Sequence, residues 1–231
     1  MWSEVRLFIE RLDVRGVHIP FAWSAERFEN DLEQAWAAWG DGEDLLWLAA
    51  CVGVDYQQIV VAAKALLEGV LRQTKRHGPL ERRLGRQMAQ VLEQVQAWGQ
   101  GKQSTERIMQ ASLELYELCE DPAKDYYPFA EAMDHLAQAV FWLTGLVDAW
   151  SPPRLPDAPD EPFERAIECL VDQAAQAWSL QQVGGDEEVA PEGYRRALAS
   201  ARQRFADVVR QHITGAQVQE AAHKQGLWPP P

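Results

Sequence analysis

The chain has 231 residues, 47% hydrophobic and 25% charged, with a formal net charge of −13 at pH 7. That length allows one large domain or two small ones with a real core. Few β-branched runs exclude a large sheet, and the acidic balance, which repels phosphate backbones, argues against a general nucleic-acid binder.

In chain order, Val5, Phe8, Ile9 and Leu12 recur at i, i+3, i+4 and i+7 and predict a short amphipathic helix. The charges of Glu4, Arg6, Glu10 and Arg11 interrupt this region, so no signal peptide is expected. Gly16–Trp23 reads as a loop around Pro20. Ser24 is expected to cap a helix through Trp39, with Phe28, Leu32, Ala35, Trp36 and Trp39 inward, ended by Gly40-Asp41-Gly42. A short buried helix over 45–52 closes at Gly53. Asp55 and Gln58 have capping-box spacing for a helix to about Lys75, with Ile59, Ala62, Ala63, Leu66, Leu67 and Val70 inward.

Gly78-Pro79 breaks the chain, and a helix from about Leu80 to Trp98 stops at Gly99–Gly101. Ser104 opens another, ending near Cys119. Asp121-Pro122 through Pro128 reads as turns, and 129–150 as the most apolar helix. Ser151–Pro162 carries five prolines. Further helices are expected over 161–180, 193–214 and 216–224, with Leu198, Ala201, Phe205 and Val208 or Val209 inward. Gly184–Pro191 between them is polar. The expected fold is therefore all-α, an antiparallel multi-helix array of roughly eight to ten helices. Residues 1–150 form the main helical domain, 151–161 a proline-rich linker, and 162–231 C-terminal helices packed on the main domain, with an extended proline tail. Ala38-Trp39-Gly40-Asp41-Gly42 and Ala97-Trp98-Gly99-Gln100-Gly101 share A-W-G-x-G, and each is expected to end a helix in the same way.

No phosphate loop, dinucleotide fingerprint or nucleophile elbow occurs, so no cofactor is expected. No metal is expected either. Glu220 and His223 make a single ExxH where a di-iron bundle needs two and further glutamates. Glu131 and His135 are spaced for a surface pair. Cys51, Cys119 and Cys169 are far apart among apolar helical residues, as free buried thiols in a reducing, cytoplasmic setting would be. Neither Cys119 nor Ser112 has the local sequence of an activated nucleophile. An enzyme would need a site assembled from distant residues, with His18, His77, His135, Glu131 and Asp134 the ones to converge. No apolar run is long enough to cross a bilayer.

Charge is unevenly distributed. Residues 1–60 hold four Lys/Arg against eleven Asp/Glu, 61–110 nine against four, 111–170 three against thirteen, and 171–231 six against seven. The basic run Arg72, Lys75, Arg76, Arg82, Arg83 and Arg86, with His77 among them, brackets the Gly78-Pro79 joint. It reads first as a solvated joint pairing with the acidic flanks, and second as an anion contact. The acidic flanks suit a basic protein partner. The residues expected to meet it are Glu26, Glu29, Asp31, Glu33, Asp41, Glu43 and Asp44 in the first stretch, and Glu114, Glu117, Glu120 and Asp121 in the second. Most of the ten tryptophans fall on apolar helix faces. Trp2, Trp23 and Trp228 lie outside them and are candidate binding hot spots if exposed.

Three segments carry a family resemblance: Asp44 to Asp55 (DLLWLAACVGVD) with the alanine-rich helix after it, Val91 to Gly101 (VLEQVQAWGQG), and Phe205 to His212 (FADVVRQH). Together they resemble bacterial immunity proteins found beside polymorphic toxins. The resemblance implies a helical, cytoplasmic, non-enzymatic protein that protects its cell by binding a cognate toxin. The alternative reading is a helical adaptor or scaffold subunit of a bacterial complex, which needs an exposed apolar groove.

Overall fold

The computed structural model describes residues 4–14, 31–76, 78–119, 129–149, 161–185 and 190–228. Among them are ten α-helices and no strand. They are α1 (Glu4–Val14), α2 (Leu32–Ala38), α3 (Gly42–Cys51), α4 (Tyr56–Gln73), α5 (Pro79–Gly99), α6 (Thr105–Cys119), α7 (Ala130–Ala149), α8 (Glu161–Val183), α9 (Pro191–His212) and α10 (Gly215–Lys224). The expected all-α array is the fold.

Helix starts follow local side chains. Asp31, Asp41 and Asp55 sit at the N-caps of α2, α3 and α4, and each accepts a backbone N–H of the first turn. Described α2 thus opens at Leu32 under Asp31, and the Ser24 cap lies outside the described residues. Asp55 bonds the Gln57 N–H at 2.8 Å, so it caps α4 alone rather than through a reciprocal bond with Gln58. At α5, Pro79 occupies the first turn, and the Glu81 carboxylate reaches back to the Gly78 N–H at 2.7 Å.

The central helix is α4, which touches α3, α5, α7, α8 and α9. Its expected inward residues, from Ile59 to Val70, are all buried. The most extensive helix–helix contact is between α7 and α8. Both helices are rich in small buried side chains, Ala132, Ala137 and Ala139 on α7 and Ala174, Ala175 and Ala177 on α8. α9 lies across α8, α3 and α4, while α10 packs on α2. One apolar core runs from Val5 through Trp228 and includes side chains from both sides of 151–160. Those ten residues lie outside the described set, as do 186–189 and the tail from 229.

Two expectations change. Trp228 is 6% exposed, stacked edge-on against Phe8 at 5.7 Å, while Arg11 donates to the Leu227 carbonyl at 2.9 Å. It is a core anchor joining α1 to the C-terminal segment, not an open hot spot; Trp2 and Trp23 lie outside the described residues. The two A-W-G-x-G segments also end their helices differently. After α5, Gly101 adopts φ +69° and Lys102 N–H bonds back to the Ala97 carbonyl, a Schellman stop. After α2 the chain leaves extended at Trp39, and Gly42 already belongs to α3. The shared letters are not a repeated terminator.

Candidate partner-binding faces

The first acidic set is largely engaged inside the fold. Asp31 is an N-cap. Glu33 is exposed, with its backbone close beside Gly215 of α10. Asp41 caps α3 through the Glu43 N–H and pairs with Arg202 of α9 at 3.3 Å. Arg202 also reaches Asp172 of α8 at 3.4 Å, tying three helices at one point. Asp44 accepts the Trp39 indole N–H at 2.8 Å. Glu26 and Glu29 lie outside the described residues.

These carboxylates are crowded and half-buried, and their protonation follows from it. Burial pushes Glu43 up to about 7, with Asp41, Asp44 and Glu168 adding repulsion that Arg202 only partly offsets. Burial likewise raises Asp44 to about 6, against the lowering effect of the Trp39 bond. Burial opposes the Arg202 charge, but Asp41, Glu43 and Asp172 overcome that and hold it more firmly protonated than usual. Nothing in the sequence pointed to Arg202, Asp172 or Glu168, because 161 positions separate Arg202 from Asp41.

The second set stands differently. Glu114 and Glu117 are exposed on α6; Glu120 and Asp121 lie outside the described residues. Glu114 has only long contacts, 3.4 Å, to Gln87 and Gln110. Beside these acids lie Leu113 and Tyr116, 50% and 53% exposed. With Leu7 of α1 they are the exposed large hydrophobics among the described residues. Tyr116 tilts onto Phe141 of α7 at 6.3 Å, and Phe141 meets Trp142 at 6.0 Å. Below, a buried Thr144–Ser112 hydrogen bond of 3.0 Å locks α6 to α7. Acidic patterning marked this helix in the sequence. The aromatic row was missed because its members come from two helices.

The remaining candidates show other roles. His135 shares a 2.6 Å hydrogen bond with Gln173 and lies 3.9 Å from Glu131. His18 and His77 are outside the described residues. Ser112 is buried in its bond to Thr144. All three cysteines are free thiols, but only Cys119 is buried; Cys51 and Cys169 are half-buried. Burial raises the Cys51 and Cys169 thiols, the opposite of activation. Glu220 pairs with Lys224 at 2.7 Å rather than with His223. No group of three His, Cys, Asp or Glu able to hold a metal occurs among the described residues. No helix among them is long and apolar enough to cross a membrane.

In the basic run, Arg72, Lys75, Arg82, Arg83 and Arg86 are exposed, while Arg76 turns in to donate to the Leu71 carbonyl. Lys75 lies over the Phe129 ring at 5.6 Å. A shallow cavity of 230 Å³ between α4, α5 and α9 is lined by Gln57, Gln58, Gln96, Gln100 and His212 among others. His212 is the one titratable group in its lining, too little for acid–base work.

Comparison with protein-family models, with curated proteins and with solved structures finds no match to this chain.

Proposed function

We propose that this chain is a non-enzymatic protein-binding module of the immunity type, cytoplasmic, which neutralises a basic toxin by occupying its surface. The observation that carries the reading is the outer face of α6, where half-exposed Leu113 and Tyr116 stand beside exposed Glu114 and Glu117. Apolar groups left in water within an acidic frame are the composition of a protein-binding surface for a cationic partner. The α2–α3 carboxylates support it less, since caps and Arg202 already engage several of them. The resemblance to immunity proteins points the same way.

The test is affinity capture of the tagged chain from its native lysate, followed by a salt-wash series. Recovery of one stoichiometric basic protein, released as salt rises, is expected. That protein expressed alone should arrest growth, and co-expression of this chain should restore it. A captured partner that is harmless alone would sink the immunity reading.

A second reading, a helical adaptor, draws on the aromatic row Tyr116, Phe141 and Trp142. Its sign would be recovery of a multi-protein assembly that resists salt.

A further inference from the structure

The geometry points to a more specific occupant of the α6–α7 face: we infer that it takes one amphipathic helix of the partner, apolar along its seam and basic at its edges. The inference rests on the protein-binding reading. Met109, Leu113 and Tyr116 fall at i, i+4 and i+7 and form one edge of α6, about 10 Å long at 1.5 Å per residue. Phe141 and Gly145, at i and i+4, line the facing part of α7. The Tyr116–Phe141 and Ser112–Thr144 contacts set the two helices antiparallel and side by side.

At Gly145 an added Cβ would meet nothing within 4 Å, so the α7 backbone is uncovered there beside Phe141. A bare backbone position beside a row of larger side chains leaves room for a side chain of an approaching helix. Charge selects the occupant. α6 and α7 together hold six Asp/Glu and one Arg. Exposed Glu106, Glu117 and Asp148 stand on the same outer faces as the apolar row. A helix with Leu-like residues at i, i+4 and i+7 and Lys or Arg beside them satisfies both features. An extended strand would find no sheet edge among the described residues.

The probe is a fluorescein-labelled peptide of about 18 residues, five helical turns, with leucines at that spacing and lysines on the flanks. A scrambled peptide of equal composition is the control, and both are titrated by fluorescence anisotropy. The patterned peptide should bind at least about tenfold more tightly. L113A/Y116A should cost about tenfold or more, since truncated central aromatics dominate such interfaces. G145F, adding bulk at the uncovered position, should weaken binding similarly, and D148K should weaken it while flattening the salt dependence. Both truncated side chains are only about half buried, so L113A/Y116A should remain folded, with wild-type helical circular dichroism and only a modest fall in unfolding midpoint.

Equal affinity for the two peptides, or no effect of L113A/Y116A in a variant so folded, would overturn the inference. A concentration-dependent dimer in sedimentation, dispersed by L113A/Y116A, would overturn it too by making a second copy the occupant. Equal capture of a growth-arresting protein by wild type and L113A/Y116A would reject this face and leave the immunity reading standing. Patterned-peptide binding without growth protection would do the reverse.

Discussion

At the scale of single residues, the most consequential polar group is Glu81. It is 1% exposed, and its two oxygens accept the Gly78 N–H at 2.7 Å and the Phe129 N–H at 3.3 Å. One carboxylate thereby caps α5 and holds the start of α7. E81Q places an amide N–H against one of those donors and should cost roughly 1–3 kcal/mol, read as a lower urea midpoint. E93Q, on the exposed side of α5, should stay within about 0.5 kcal/mol. The Arg202 cluster gives a pH prediction. Glu43 is raised from 4.5 to about 7 in the fold, so between those values the folded chain holds more protons than the unfolded one. Its stabilising contribution is full below about 4.5 and falls as pH rises through 7. E43Q mimics the protonated form. Its unfolding midpoint should match wild type near pH 4.5, exceed it increasingly as pH rises to about 7, and hold that margin above; a constant difference between pH 4.5 and 7 would contradict the assignment.

At the scale of elements, glycines separate local from tertiary causes. Gly53 and Gly101 have φ of +81° and +69°, and each ends its helix by letting the next N–H bond back five residues. Both stops were legible because that geometry is decided within a few residues. Gly42 is not of this kind. A Cβ there would lie 2.8 Å from the Phe205 Cβ and 2.9 Å from its carbonyl carbon, so α3 needs glycine where α9 crosses it. G42A should cost about 1–3 kcal/mol through overpacking despite alanine's better helix propensity. G145A, in open space on α7, should instead gain up to about 1 kcal/mol. Thermal unfolding of the two variants decides whether approach or propensity governs each site. Arg210 teaches the same lesson: it donates to the Trp36 and Trp39 carbonyls and so closes the C-terminus of α2 from α9. That end looked like a glycine stop in the sequence.

At the scale of the whole molecule, the proposed binding of a basic partner makes charge the agent of encounter. E114K/E117K should slow association with a basic partner by roughly tenfold at low ionic strength and flatten its salt dependence, measured by stopped flow. Association unchanged across a salt series would remove α6 from the encounter surface. Composition and the 3.6-residue period determined that this chain is all-α, where most helices begin and end, and which side chains of α4 are buried, because those features depend on neighbours within a turn or two. Only tertiary structure decided that Trp228 belongs to the core with Phe8, that Asp41 is held by Arg202, and that Leu113 and Tyr116 remain in water beside Phe141. Each depends on which distant helix covers a given face, and helical periodicity defines a face without naming the helix that covers it.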